Sequence, residues 1–214
     1  AGIKKSGNLD VAVIYTKTQA VVAGTFTQNK VAAAPVYVSK EVVATGTAHA
    51  IVANAGCANA CTGQQGLDDA HKMAQIAADE LGVNADDVIV GSTGVIGVSL
   101  PMDKLEAGIK DAVANLSADG SGNAGRAIIT TDTHSKSVTC EFELSGKTVR
   151  MGAIAKGSGM IRPNMATMLC YITTDIAIDQ ALLQKAVSGC VEKSFNMISV
   201  DGDMSTNDMV IVLA

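Results

Sequence analysis

The sequence predicts an α/β fold in which helices form layers against β-sheet. Runs of β-branched residues with the length of strands alternate with stretches whose apolar residues have helical spacing. Neighbouring strand candidates also form hairpin-like pairs, as at Leu144-Ser-Gly-Lys-Thr148, which argues against a simple doubly wound parallel sheet. With 48% hydrophobic and 17% charged residues, the 214-residue chain can build a substantial core. We therefore expect one α/β domain.

The predicted elements follow one another along the whole chain. Helices are expected where apolar residues recur on one face and acidic residues occupy first turns, at 67–81, 101–116 and 179–194. The polar tract 116–125 is expected to be a loop that leads into a strand at Arg126. Strands are expected at 9–16, 20–27, 48–54, 87–90, 126–131, 138–144, 148–155 and 168–174.

Composition excludes several classes of function. The formal net charge is -5 and no Lys/Arg run interleaves with aromatics, so nucleic acid is not an expected partner. The five cysteines are an odd number without paired CxxC spacing, so we expect free thiols, no disulfide framework and no metal site. Neither a signal peptide nor an apolar run of membrane-spanning length is recognisable, so we expect a cytoplasmic protein without a membrane partner. The absent initiator Met and the apolar run at the end suggest part of a longer protein that lacks the start and the C-terminal part.

The most informative segment is Ala155-Lys-Gly-Ser-Gly-Met-Ile-Arg-Pro-Asn-Met-Ala-Thr-Met-Leu169, in which a strand leads through a Gly-rich turn and Pro163 to Thr167. One interpretation of Thr167 is a strand residue whose hydroxyl bonds a neighbouring carbonyl. The other is a latent N-terminal nucleophile, whose hydroxyl attacks the preceding carbonyl and so frees a new N-terminus. The new α-amine, with an ordinary pKa of about 8, then serves as the base. Such a catalyst needs no triad, and none is recognisable around the three histidines.

A second segment, Gly91-Ser-Thr-Gly-Val-Ile-Gly97, follows a predicted strand. It can be read as a Gly-rich connection between a strand and a helix. It can also be read as an oxyanion hole, because a Thr hydroxyl and an unobstructed backbone N–H can donate to the same oxygen.

These motifs together resemble the ornithine acetyltransferases, arginine-biosynthesis enzymes also called glutamate N-acetyltransferases. The segment 156–169 resembles their self-cleavage signature, and further blocks resemble theirs in the same order at 1–10, 26–35, 54–63, 92–97, 130–133 and 199–208. The resemblance implies an α/β/β/α sandwich of the N-terminal-nucleophile-like type. It also implies autocleavage between Ala166 and Thr167 into an α chain, 1–166, and a truncated β chain, 167–214, which assemble as an α2β2 heterotetramer.

The same resemblance implies the reaction and the site. Thr167 would take the acetyl group from N2-acetyl-L-ornithine and pass it to L-glutamate, with Thr93 and Gly94 as the oxyanion hole and Thr130 and Lys156 in substrate binding. No cofactor is implied, and acetyl-CoA stays open as a second donor. Asp201 and Asp203 are interpreted as structural. The alternatives are an amidohydrolase or aminopeptidase with the same nucleophile, in which water takes the acyl group, and an uncleaved, inactive chain.

Overall fold

The structure is a computed structural model that describes residues 1–162 and 168–214. The described residues form seven strands and five helices. In chain order these are β1 (Val11–Phe26), α1 (Ala34–Thr45), β2 (Thr47–Cys57), α2 (Gly63–Leu81), β3 (Val88–Val95), α3 (Met102–Ala114), α4 (Ser121–Ile128), β4 (Lys136–Leu144), β5 (Lys147–Lys156), β6 (Leu169–Thr174), α5 (Gln180–Glu192) and β7 (Met209–Leu213).

The long strand β1 belongs to two sheets. Its first part pairs antiparallel with β2, which pairs parallel with β3, whereas its last five residues, from Val22 to Phe26, pair antiparallel with β7. The hydrogen-bonded order is β3-β2-β1-β7-β6-β5-β4, with β6 and β7 parallel. The register of β1 against β2 is irregular between Tyr15 and Ala20. This break lies within the part of β1 that pairs with β2, because Ala20 and Val21 pair with β2 beyond it.

The two sheets pack face to face, because one buried cluster contains residues from β1, β2 and β3 together with residues from β5, β6 and β7. Tyr171 on β6 shows how close they are. A Cβ on Gly91 of β3 would lie 2.0 Å from the Tyr171 hydroxyl oxygen, so glycine leaves the room that the tyrosine occupies. Helices α2 and α3 cover the outer face of β1–β3, and α5 covers the outer face of β6 and β7. The predicted α/β/β/α sandwich is therefore confirmed.

Local chemistry explains where the helices begin and end. Asp179 precedes α5 and accepts hydrogen bonds from the amides of Ala181 and Leu182. Helix α1 has Pro35 in its first turn and ends at Gly46, whose φ of 89° is one that glycine adopts easily. None of the described helices is long and apolar enough to cross a bilayer.

Helices are present at the three predicted places, but other elements differ. The strand predicted at 126–131 is wrong, as is part of the preceding loop, because α4 occupies Ser121–Ile128 and packs Ala127 and Ile128 into the core between the sheets. Helix α1 was not predicted, since its many valines resemble a strand. The strands predicted at 9–16 and 20–27 are one continuous strand.

Candidate active site

The candidate site lies where the ends of several strands meet. Lys156, the last residue of β5, is paired with Leu169 at the start of β6, and Leu169 is paired with Met209 at the start of β7. Thr93 and Gly94 come from β3 in the opposing sheet. Face-to-face packing of the sheets thus brings together residues that are far apart in sequence.

Lys156 contacts two other predicted site residues. Its Nζ donates to the Thr93 hydroxyl oxygen at 3.0 Å and to the Thr130 hydroxyl oxygen at 3.1 Å. The side chain is buried, with only 4% of the residue exposed. The structure therefore brings Thr93, Thr130 and Lys156 together, although they belong to β3, the segment after α4, and β5.

The environment of Lys156 makes it an unusual lysine. Burial lowers its pKa, and the nearby charges of Asp132 and Asp208 oppose that shift. Neither of its bonds to Thr93 and Thr130 is to a charged group, and none of the ion pairs among the described residues includes Lys156. An ammonium group has three N–H donors, so the third can serve a substrate oxygen.

Thr130 and its neighbour Thr131 face different partners. The Thr131 hydroxyl oxygen lies 2.6 Å from that of Ser158 in the Gly-rich turn, whereas Thr130 bonds Lys156. Thr130 rather than Thr131 therefore contacts Lys156, and its role in substrate binding stays a prediction.

Gly94 is held against the backbone of β2. Its φ is 136°, and a Cβ there would lie 2.3 Å from the Gly56 carbonyl carbon and 2.6 Å from the Cys57 nitrogen. Beneath it, the buried Asn54 accepts from the Ser92 hydroxyl at 2.6 Å and donates to the Cys57 carbonyl at 2.9 Å. This packing fixes the backbone that presents Thr93 and Gly94, as a preorganised oxyanion hole requires.

Asp132 is a residue of this site to which the sequence analysis gave no role. Its Oδ1 accepts from the Gly157 amide at 2.8 Å and from Lys136 Nζ at 2.5 Å. Burial alone would raise its pKa, but the bonds to Lys136 and Gly157, with the charges of Lys136 and Lys156, hold the pKa below its ordinary value. Its position in the Thr130–Thr133 block was a signal, but only the structure shows that it lies beside Lys156.

Asp208 is the second such residue. It directly precedes β7, is 1% exposed, and accepts from the Met168 amide at 2.9 Å. Burial raises its pKa to about 7, against the opposing effects of the Met168 amide, the Ser205 hydroxyl and the Lys156 charge. In the sequence Asp208 stands directly before an apolar run, which does not by itself indicate that its carboxyl is buried.

Asp201 has the structural role that was predicted. Its carboxylate accepts from the amides of Met160 and Ile161 at 2.5 and 2.9 Å and so fixes the Gly-rich turn after β5. Asp203 belongs to the same arrangement through its own amide, which donates to Asp201.

The predicted nucleophile Thr167 and the cleavage-site residue Ala166 lie outside the described residues. Met168, which follows them, is held on two sides. Its amide donates to Asp208, and its carbonyl accepts from the Met209 amide at 2.9 Å. The chain therefore enters β6 at a place fixed by β7.

A two-sheet sandwich with helices on its outer faces is the layered architecture of the ornithine acetyltransferase type. Comparison with known proteins then identifies the family. The ArgJ family model matches residues 1–214, and the chain belongs to the ArgJ family.

Three relatives show how close the match is. The arginine biosynthesis bifunctional protein ArgJ of Symbiobacterium thermophilum is 53% identical over 98% of this chain and 52% of its own length. The glutamate N-acetyltransferase of Methanocaldococcus jannaschii is 51% identical over 98% of this chain and 53% of its own length. The solved structure of ornithine acetyltransferase complexed with ornithine from Mycobacterium tuberculosis is 35% identical, with a TM-score of 0.67 over 78% of this chain and 88% of that chain. The chain spans about half the length of the curated relatives it matches.

Proposed function

We propose that this chain supplies the nucleophile and oxyanion hole of an enzyme that transfers the acetyl group of N2-acetyl-L-ornithine to L-glutamate in arginine biosynthesis. One observation carries the proposal. The buried Lys156 binds the hydroxyls of Thr93 and Thr130 and pairs with Leu169, the first residue of β6, which follows Thr167 by two positions in the sequence. The names of the relatives, an ornithine acetyltransferase and a glutamate N-acetyltransferase, support it.

The reaction is a two-step acyl transfer. The Thr167 hydroxyl oxygen attacks the acetyl carbonyl carbon, its proton passes to the α-amine of the same residue, and the amide C–N bond breaks as ornithine leaves with that proton. The α-amine of glutamate then attacks the acetyl ester. The ester C–O bond breaks, and the proton released by the glutamate amine restores the Thr167 hydroxyl.

Described residues stabilise the negative charge of the oxyanion in both steps and bind the carboxylate of the substrate. Lys156 can only donate, so the Thr93 hydroxyl oxygen accepts from it and the proton of that hydroxyl is available to the developing oxyanion. The Gly94 amide is the second oxyanion donor, and each such donor is worth about 3 kcal/mol of barrier. Lys156 and Thr130 bind the carboxylate of the amino-acid substrate.

Self-cleavage between Ala166 and Thr167 is part of the proposal, since it frees the α-amine that acts as the base. The solved Mycobacterium chain supports it. This chain covers 88% of that solved chain but only about half of the curated relatives, so the solved chain is much shorter than they are, as a cleavage product would be. We further propose an α2β2 assembly of the two chains, acetyl-CoA as a second donor, and no requirement for a cofactor.

The test uses the protein at the natural length of its relatives, with Thr167→Ala, Thr167→Ser and a matched exposed control, Thr139→Ala. We expect Thr167→Ala to abolish both cleavage and acetylglutamate formation, Thr167→Ser to retain part of each, and Thr139→Ala to resemble the wild type. The intact mass of each variant, measured by mass spectrometry, shows whether the chain has been cleaved between Ala166 and Thr167. Each acetyl donor, N2-acetyl-L-ornithine or acetyl-CoA, is supplied with and without glutamate.

Three outcomes of this test contradict the proposal. Ornithine release that does not depend on glutamate, without acetylglutamate, would identify an amidohydrolase. A single uncleaved species would identify an inactive chain. Full activity of Thr167→Ala would exclude Thr167 as the nucleophile.

A further inference from the structure

Asn207 links the segment before β7 to the segment after β2 through its side chain. It lies two positions before Met209, the first residue of β7, and is only 5% exposed. Its Nδ2 donates to the Ala58 carbonyl oxygen at 2.6 Å. The Thr206 hydroxyl donates to its Oδ1 at 2.5 Å, so the donor end of the amide faces Ala58. A buried amide with both ends bonded in this way is fixed in one orientation.

Ala58 is in turn bonded to the chain that follows Gly94. The Ala58 amide donates to the Val95 carbonyl oxygen at 2.9 Å, and the Gly97 amide donates to the Ala60 carbonyl oxygen at 2.9 Å. Both alanines are buried. The backbone directly after the proposed oxyanion hole is therefore held by the segment that Asn207 contacts.

Two asparagines hold neighbouring carbonyls beside Gly94, but from different sides. Asn54 lies within β2 and donates to the Cys57 carbonyl, so its bond stays within the first sheet. Asn207 donates to the next carbonyl, that of Ala58, from the segment that leads into β7. Since β7 pairs with β6, the bond made by Asn207 ties the chain beside Gly94 to the second sheet.

The backbone around Asn207 is held independently of its side chain. Three hydrogen bonds dock residues 204–206 on residues 27–33: from the Ala33 amide to the Thr206 carbonyl at 2.8 Å, from the Thr27 hydroxyl to the Ser205 carbonyl at 2.7 Å, and from Asn29 Nδ2 to the Met204 carbonyl at 2.8 Å. Truncation of the Asn207 side chain therefore removes the link to Ala58 while these three bonds stay in place.

We propose that Asn207 is a positioning residue for the oxyanion hole: through the Ala58 carbonyl it fixes the Thr93–Gly94 segment relative to the second sheet, which carries Lys156. This inference rests on the proposed function, in which Thr93 and Gly94 stabilise the oxyanion. Preorganised donors stabilise a developing charge because they need no reorganisation during the reaction. Loss of the link should therefore lower kcat and leave KM unchanged.

Asn207→Ala tests this in the full-length protein, with activity expressed per cleaved chain. We expect kcat for acetyl transfer to fall about 10-fold at unchanged KM, because the oxyanion donors are misplaced but not removed; removal of one donor costs roughly 100- to 1,000-fold.

Asn29→Ala is the matched control. Asn29 makes the same kind of bond at the same junction, from a side-chain amide to the Met204 carbonyl, but this bond does not involve Ala58. We expect the control to lower the temperature of unfolding and to keep the kcat of the wild type. Equal kcat values for Asn207→Ala and Asn29→Ala would overturn the inference.

A double-mutant cycle with Thr93→Ala separates positioning from a general loss of structure. An oxyanion hole that has already lost one donor loses less when it is misplaced. The fall in kcat of the double variant should therefore be smaller than the product of the two single falls. A fall equal to that product would show that Asn207 acts independently of the oxyanion hole, and would overturn its positioning role.

Thr206→Val keeps the test decisive if Asn207→Ala does not fold. Valine has nearly the shape of threonine but cannot donate to Asn207 Oδ1, so the amide loses the bond that orients it. We expect kcat to fall about 3-fold at unchanged KM, since one neutral hydrogen bond is lost. The kcat of the wild type in this variant would overturn the inference. Absence of acetyl transfer in the wild type would instead overturn the proposed function, so the two failures are distinguishable.

Discussion

Two carboxylates, Asp132 and Asp208, act on Lys156 through their charges, and the pKa values of the two shift in opposite directions. Each of Asp132 and Asp208 gives one oxygen to a backbone amide at the end of a strand. Asp132 also accepts from Lys136, and its pKa is below the ordinary value. Asp208 has no cation in contact within the described chain, and its pKa is raised to about 7.

The difference has two causes: Asp208 is the more deeply buried residue, and Asp132 alone of the two has a contacting cation, Lys136. The pKa of Asp132 is held below its ordinary value by Lys136 and the Gly157 amide, whereas burial raises the pKa of Asp208 to about 7. Lys156 acts on both without contacting either, since its own bonds are to Thr93 and Thr130. The site thus contains one carboxyl whose pKa is lowered and one whose pKa is raised.

The largest effect on activity should come from Lys156→Met, which removes the cation whose charge acts on both Asp132 and Asp208. Thr93 and Thr130 lose their donor, so we expect kcat/KM for acetyl transfer to fall about 100-fold or more. Stability should be kept or improved, because a buried ammonium bonded only to hydroxyls is replaced by an apolar side chain of similar length. Steady-state kinetics and thermal unfolding measure the two effects.

Lys147→Met is the control for this substitution, since Lys147 begins β5 at the exposed end of the strand. It should leave both kinetics and unfolding unchanged. Retention of transfer by Lys156→Met would contradict the role of the lysine, even if the fold were intact.

The next largest effect concerns pH: the contributions of Asp208 and Asp132 to the free energy of unfolding should depend on pH in opposite directions. The folded pKa of Asp208, about 7, lies above the unfolded value of 3.8, so its contribution is fully present below pH 4 and is lost as the pH rises through 7. The loss is on the order of 1 kcal/mol for each pH unit in that window. The folded pKa of Asp132 is lowered, so its contribution is present above pH 4 and is lost as the pH falls through the folded value.

Urea unfolding of Asp208→Asn and Asp132→Asn between pH 3 and 8 separates the two cases. Relative to the wild type, Asp208→Asn should gain stability as the pH rises, because no buried carboxyl must ionise. Asp132→Asn should lose stability as the pH rises, because the wild type gains its ion pair. If the stability of both variants, relative to the wild type, changed in the same direction as the pH rises, the opposite pKa shifts of Asp132 and Asp208 would be refuted.

The sequence predicted the layered fold where periodicity was strong, and failed where packing overrides local preference. In helices α2, α3 and α5 the apolar residues recur with the spacing of a helix, so the sequence alone predicts these helices. Helix α1 is rich in valine, and its helical state depends on Pro35, Gly46 and packing against β3, which propensity does not register. Helix α4 has the sequence SGNAGRAI, which is rich in small and polar residues, so it resembles a loop until the core between the sheets is known.

The site was predictable only in part. Thr93, Gly94, Thr130 and Lys156 were found through blocks of resemblance, and the structure places the three side chains in contact. The roles of these residues and of Thr167 stay predictions. Asp132 and Asp208 stand in the same blocks, but a carboxylate in a sequence gives no sign of its burial or of the amide it accepts, since both depend on strand register.

The smallest effect should come from Lys136→Met, which would make Asp132 resemble Asp208. Lys136 is 40% exposed and solvent screens its charge, so we expect about 1 kcal/mol of lost stability at neutral pH. The pKa of Asp132 should rise because burial is then opposed only by the Gly157 amide and the charge of Lys156. Its acid-induced loss of stability should therefore begin at a higher pH in urea unfolding. Lys110→Met, which breaks an exposed pair with Glu106 on α3, is the control and should shift nothing. If Lys136→Met leaves unchanged the pH at which acid-induced loss of stability begins, the Gly157 amide and Lys156 alone lower the pKa of Asp132. Contact with a cation is then not what distinguishes the two carboxylates.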